Sequence, residues 1–412
     1  MSSRIVIIGA GFAGLWSALS AKRLINLRNQ QDRIEVLVIA PEPSLVLRPR
    51  LYEANAAGMK HHLAELLDSA GIEFFQGKVD IIDTKAHTVH AQPTSSVEPT
   101  TSISYDRLIL AAGSSVRQPQ GAAGLREFAF DIDSFDSATR LEEHLNRLSS
   151  LPESPARNTI VVCGAGFTGI ELAAELPKRV LGLIANPRVI MVESADEIGP
   201  GLGPGPRPVI TQAMKDLQVE VRTGTAVSSV DAEGLTLATG ERIETKTTIW
   251  TAGVVATSLT QQIDGPKDSF SRLHVDQFLR ALSTEHIYAT GDAVHALADD
   301  KGHHALMSCQ HALQLGRVSG YNAAADLLGE PTVEYSQPAY ACCLDLGPCG
   351  AVIGRGWERK VSLTGDRAKK VKEYINRQLI YPPVDASEAL NLANPVGPDT
   401  DELFEHILEV VG

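Results

Sequence analysis

The chain is poor in cysteine, in aromatic residues and in uninterrupted apolar sequence, and each shortage removes a class of protein. Its five cysteines in 412 residues, Cys163, Cys309, Cys342, Cys343 and Cys349, are too few and too irregular for a disulfide framework. A reducing compartment follows, and the chain is expected in the cytoplasm. No Cys-x-x-Cys pair follows either glycine-rich turn described below, which removes the simplest dithiol relay. Cys342, Cys343 and Cys349 lack the neighbouring histidines and second spaced pair of a zinc site, so no metal is expected. No apolar run reaches the ~18 residues that suggest a membrane span. The apolar start at Ile5 is broken by glycines and lacks a strong basic flank, so it reads as a strand entering a helix rather than a signal segment. Positive charge is short as well: 37 Lys and Arg against 50 Asp and Glu leave a net charge of −13, which argues against a nucleic-acid partner.

What the chain does have is one glycine fingerprint twice. Ile5-Val6-Ile7-Ile8 runs into Gly9-Ala10-Gly11-Phe12-Ala13-Gly14, and Ile160-Val161-Val162-Cys163 runs into Gly164-Ala165-Gly166-Phe167-Thr168-Gly169. Each follows an apolar strand and precedes a segment of helical periodicity, the context in which Gly-x-Gly-x-x-Gly binds a dinucleotide. The first glycine turns tightly, the second admits the pyrophosphate close to the backbone, and the third lets helix pack on strand. The helix N-terminus then offers free N–H groups to the phosphates. Two copies imply two dinucleotides.

The repeat extends beyond the glycines. A second strand follows each, Ile34 to Ile39 in one half and Arg188 to Val192 in the other. An apolar strand ending in small residues closes each, at Ala112-Gly113 and at Ala252-Gly253. Ser/Thr/Pro-rich stretches at 94–104 and 149–157 read as a surface loop and a linker. The strand Ile287-Tyr288-Ala289 enters Gly291-Asp292, and a helical pattern begins near Ser308. From Pro331 a third unit carries strand-like stretches and a basic helix, Arg367 to Leu379, expected to be solvated and docked on its own domain.

Together these residues resemble the two-dinucleotide-binding flavoproteins over roughly residues 4–325. Within them the chain is similar to type II NADH dehydrogenases and the apoptosis-inducing-factor-like NAD(P)H oxidoreductases. The resemblance implies an α/β fold: two Rossmann-like domains for FAD and NAD(P)H, the second inserted in the first, and a C-terminal α+β domain. The expected bounds are 1–115 with 283–330 for FAD, 155–282 for NAD(P)H and 331–412 for the third. It places Gly9, Gly11, Ala13 and Gly14 on the FAD pyrophosphate and Asp292 on its ribityl chain. Ala112 and Gly113 join them on the FAD side, and Gly253 closes the other. It places Gly164, Gly166 and Gly169 on NAD(P)H. Arg48-Pro49-Arg50-Leu51-Tyr52-Glu53 resembles the segment beside the flavin ring, Glu171 a glutamate near the nicotinamide, and Gln310-His311-Ala312 the helix start beside the quinone pocket, with Cys309 in place of an alanine.

Physical chemistry adds roles. Glu193 ends the second strand of its unit, where an acid accepts from a ribose 2′-hydroxyl and repels a 2′-phosphate, favouring NADH; Arg207 keeps NADPH open. The matching position in the first unit is Ala40, so Glu42 or Arg48 is expected to reach the FAD ribose instead. The helix start near Ser308 would lend positive dipole to the negative charge that hydride transfer creates. Glu171, Gln310 and His311 are the catalytic candidates, His311 as a proton donor. The expected activity is hydride transfer from NADH to FAD and onward to a quinone or quinone-like small organic acceptor. Reduction of a protein carrier such as ferredoxin and redox sensing without turnover are the rivals. Contact of the basic helix with an anionic membrane surface, and the oligomeric state, stay open.

Overall fold

Strand Ser3–Ile8, β-branched and buried, lies inside a seven-stranded sheet whose order is Ile287–Ala289, Arg107–Leu110, Ser3–Ile8, Ile34–Ala40, Glu73–Asp83, Thr88–Pro93 and Thr101–Ser104. This computed structural model describes residues 2–95, 99–119, 121–398 and 400–412. The first five strands pair in parallel and the last two antiparallel. Parallel strands must be covered on both faces, which is why they read as continuous Ile/Val/Leu runs rather than alternating ones. Of the segment expected to be a surface loop, 96–98 lie outside the described residues, and Thr101–Ser104 forms the sheet's edge strand because Ile103 packs inward.

The second fingerprint builds a five-stranded parallel sheet in the order Ala129–Phe130, Thr247–Trp250, Thr159–Cys163, Arg188–Val192, Glu220–Arg222. Ile287–Ala289 then returns the chain to the first sheet beside Arg107–Leu110. Two details depart from the expected bounds. Ala129–Phe130, before residue 155, joins the second sheet, and Ile263, Leu273, Leu279 and Ala281, before 283, are buried in the core of the first. The last unit is a three-stranded antiparallel sheet, Ala341–Asp345, Ala351–Arg355 and Lys360–Thr364, with helices Gly365–Tyr374 and Thr400–Val411 sharing its core.

Two helices bring the ends of the first unit together. Phe12–Leu27 and Cys309–Leu328 cross so closely that a Cβ on Gly316 would lie 2.5 Å from the Ala13 carbonyl oxygen, and one on Gly320 would strike the Ser17 carbonyl. Ser17 and Ser319 bridge their hydroxyls at 3.0 Å within the same contact. This crossing places the N-terminus of Cys309–Leu328 beside the first fingerprint.

Candidate active site

A single cavity of about 1440 Å³ is lined by the first fingerprint, by Gly166 to Thr168 of the second, by the start of Cys309–Leu328 and by the C-terminal unit. It exceeds the ~300–1,000 Å³ of an ordinary ligand pocket. The two fingerprints have the same geometry. Gly9 and Gly164 both turn at φ +110°, where a side chain is strained. A Cβ on Gly14 would strike the carbonyl of Gly9, and one on Gly169 that of Gly164. Those four glycines are demanded by the chain itself. Gly11 and Gly166 are different: a Cβ on either meets nothing within 4 Å. Space kept clear at a helix N-terminus, twice, fits a dinucleotide pyrophosphate at each.

Around the first fingerprint the cavity wall includes Ala13, Glu42, Arg48, Ala112, Gly113 and Asp292. Asp292 follows strand Ile287–Ala289, and its Oδ2 accepts from the Ser114 hydroxyl at 2.6 Å and from Arg48 Nη1 at 3.2 Å. Arg48 also bonds Asp133 through Nη2. Asp292 is thereby fixed between two neighbours, with lone pairs left for polyol hydroxyls. Glu42 sits past the end of Ile34–Ala40, half-exposed, its carboxylate 2.6 Å from Lys60 Nζ. It lines the cavity two residues beyond Ala40, where the first unit has no acid.

In the second unit, Glu193 is buried and spends its carboxylate on the loop: it accepts from the backbone N–H of Ala165 at 2.7 Å, from that of Ala195 at 2.8 Å and from the Ser194 hydroxyl at 3.1 Å. It braces the fingerprint and, like Gly164, Gly169 and Gly253, lies off the cavity wall. Arg207 is occupied by Glu197 at 2.6 Å and by the Ile198 carbonyl.

Glu171, on helix Phe167–Val180, does face the cavity, and its partner was not legible in the sequence. Lys372 Nζ bonds its Oε1 at 2.8 Å, and the Asp345 N–H donates to the same oxygen at 2.9 Å. Both side chains are almost fully buried. Burial pushes the Glu171 carboxyl up to about 7, while Lys372 pulls the other way. Desolvation works against the Lys372 ammonium, but Glu171, Cys343 and Asp345 together outweigh it and raise its pKa. Beside this pair, Asp345 takes Lys369 at 2.6 and 2.8 Å and the Tyr52 hydroxyl at 2.8 Å, and Asn376 reaches Glu53 at 3.0 Å. The helix expected to be solvated therefore turns Lys369 and Lys372 inward, because Asp345 and Glu171 are there to receive them. Tyr52, in the segment singled out beside the flavin, joins this network.

Helix Cys309–Leu328 is capped by Ser308, whose Oγ accepts from the His311 N–H. Gln310 and Cys309 line the cavity; His311 does not. His311 is fully buried, its Nδ1 2.9 Å from the Ser308 hydroxyl and its Nε2 without a partner among the described residues, with its ring near those of Tyr340 and Trp357. Burial lowers its pKa to about 4, so it is neutral at pH 7. Burial likewise holds the Cys309 thiol up at about 11, as a protonated apolar side chain. The structure brings Glu171 and Gln310 to one cavity and leaves His311 behind the wall. Among the described residues no group of three or more His, Cys, Asp or Glu is placed to hold a metal, and no helix is long and apolar enough to cross a membrane.

Two pyrophosphate cradles meeting at one cavity define a flavoprotein oxidoreductase that binds FAD and NAD(P)H. The chain belongs to the pyridine nucleotide-disulphide oxidoreductase family, whose profile it matches over residues 3–316. It is 42% identical over 397 residues to an NADH dehydrogenase-like protein of Mycobacterium tuberculosis, covering 95% of this chain and 97% of that one. A demethylphylloquinone reductase of Synechocystis is 27% identical over 92% of this chain and 91% of its own. The structure of NDH2 from Plasmodium falciparum in complex with NADH superposes with a TM-score of 0.75 at 14% identity, over 95% and 97% of the two chains, a likeness of fold.

Proposed function

We propose that this protein oxidises NADH and delivers the electrons to a quinone or quinone-like small organic acceptor. The observation that carries the reading is the shared cavity: both fingerprints, Glu171 and Gln310 open on it, and it continues past them along apolar residues of the C-terminal unit. The names of the mycobacterial and cyanobacterial relatives support NADH as donor and a quinone as acceptor. In this reading the unit of the seven-stranded sheet carries FAD, the unit of the five-stranded sheet carries NADH, 331–412 shape the acceptor side, and the enzyme works in the cytoplasm.

Bound FAD supplies a ring that takes hydride and returns electrons singly or in pairs. The chain supplies the rest. Backbone N–H groups at Gly11 and Phe12 would hold the pyrophosphate, and Asp292, fixed by Ser114 and Arg48, would accept from the ribityl hydroxyls. Glu193, its oxygens already accepting from Ala165, Ser194 and Ala195, would act only through its negative charge behind the NADH loop, which disfavours a 2′-phosphate. The N-terminus of Cys309–Leu328 directs its dipole at the cavity and favours negative charge there. Glu171, with a pKa near neutrality, holds a proton at its carboxyl that Lys372 helps to release and restore.

Anaerobic mixing of the holoenzyme with NADH is expected to bleach the flavin absorbance, with NADPH much slower, and a soluble naphthoquinone is expected to restore it. Absorbance unmoved by either nucleotide refutes the reading. So does turnover with an acceptor protein alone.

A further inference from the structure

The cavity runs on beyond Gln310. Gln310, Leu313, Gln314 and Arg317 recur at helical spacing i, i+3, i+4, i+7, and all four line it, so one face of Cys309–Leu328 forms its floor. Arg317 lies two turns from Gln310, about 10 Å along the axis. Its guanidinium stacks over the Trp16 ring at 4.2 Å from the centroid. Across from it run Pro395, Val396 and Gly397, pinned by the Gln314 Nε2 bond to the Pro395 carbonyl at 2.6 Å.

Arg317, like Arg179 and Arg359, is a partly buried arginine that forms no ion pair among the described residues. Arg48, Arg50, Arg107 and Arg272 each hold a carboxylate. No carboxylate pairs with Arg317 among the described residues, and its Nε is buried without a partner. Desolvation alone acts on it, lowering its pKa to about 10, which still leaves it charged at neutral pH. A guanidinium withdrawn from water and left unpaired is costly, and its donor fork suits a planar anion. Trp16 fixes the plane of that fork by stacking on its face.

We infer that Arg317 and Trp16 form a subsite for the anionic group of an amphipathic acceptor, one whose ring lies toward Gln310 and whose carboxylate reaches Arg317 through a tether of about two helical turns. This deepens the acceptor reading above and rests on it. A neutral quinone leaves Arg317 unpaired; an acid-tailed one pairs it. The same guanidinium would also suit the pyrophosphate of FAD, so the test separates the two sources of anion.

The probes are a 1,4-naphthoquinone carrying an ω-carboxyalkyl chain and its methyl ester, which differ in the charge of the tail and by one methyl group. Equilibrium dialysis of the FAD-loaded holoenzyme, without NADH, is expected to give tighter binding of the acid by about tenfold or more, the scale of a charged hydrogen bond. Arg317→Met is expected to abolish that preference and Arg317→Lys to keep part of it, with bound FAD per chain unchanged in both. In NADH-driven turnover the acid-to-ester ratio of kcat/KM is expected to fall in the same order. Acid and ester binding alike to the unaltered protein overturns the proposal. An acid preference that survives in Arg317→Met does so too, as does loss of FAD from Arg317→Met, which would assign the anion to the cofactor. Because dialysis needs no turnover, failure of NADH oxidation and failure of this subsite are read separately.

Discussion

Replacing Lys372 with methionine removes the cation facing Glu171 and leaves a buried carboxyl held by the Asp345 N–H, with the Asp345 carboxylate near by. Breaking a buried pair by deleting one partner costs about 3–5 kcal/mol when the remaining charge cannot neutralise. Glu171 can neutralise. Its carboxyl already sits at about 7 with Lys372 in place, against 4.5 for a free glutamate. A carboxyl whose folded pKa is raised makes the native state bind more protons than the unfolded one, so stability falls as pH rises from the unfolded value to the folded one. In the unaltered protein that loss is complete soon after pH 7. Without Lys372 the carboxyl moves further up, toward the ~8–9 documented for buried glutamates. With the folded value near 9, the decline continues for two more pH units at about 1.4 kcal/mol each, or about 2.7 kcal/mol. The deficit of Lys372→Met relative to the unaltered protein is therefore expected to be small at pH 6 and to widen by up to that amount at pH 9. Urea unfolding of the FAD-loaded proteins at pH 6, 7.5 and 9 measures it. The double variant Glu171→Gln/Lys372→Met has no titrating group in the pair and is expected to show no widening. A deficit constant from pH 6 to 9 would refute the claim that Lys372 sets the protonation of Glu171.

Gly166→Ala adds a methyl to open space at a residue whose φ is −77°, so the fold is expected to be unharmed or gain up to ~1 kcal/mol, while NADH affinity drops at least about tenfold. Gly169→Ala drives its Cβ into the Gly164 carbonyl and is expected to destabilise by about 1–3 kcal/mol; titration with NADH and thermal melts together distinguish the two, and equal effects would mean that Gly166 is not reserved for a ligand. His311→Leu removes an Nε2 that has no partner among the described residues together with the Nδ1 bond to Ser308, so it is expected to change stability by no more than about 1–2 kcal/mol without moving the pH profile of kcat, whereas a ~100-fold loss of kcat would reinstate it as a proton donor.

What was legible was local. A glycine fingerprint is a statement about a dozen consecutive residues, and both turned as the spacing required, down to a shared φ of +110° at Gly9 and Gly164. Glu171 and Gln310, which both line the cavity, each sit at a fixed offset from a motif. The pairing of Glu171 with Lys372 was not legible, because it joins helices far apart in sequence, and no local pattern distinguishes a lysine that faces solvent from one that faces a buried acid. The helix Gly365–Tyr374 looked solvated for that reason: its polar residues were counted as surface when Lys369 and Lys372 are its inward face. A usable signal was present in the spacing, since Lys369, Lys372 and Asn376 fall at i, i+3 and i+7, one stripe shared with no acid on the same helix turn able to pair them all. Arg317 escaped for the opposite reason. It stands alone in an apolar helix, and a lone arginine there has to snorkel, pair or wait for a ligand. The sequence does not say which. The structure adds that its guanidinium lies on Trp16 with no carboxylate paired to it among the described residues. Chemistry carried by a motif can be read from sequence, and chemistry carried by an unmet charge needs the fold to show that nothing meets it.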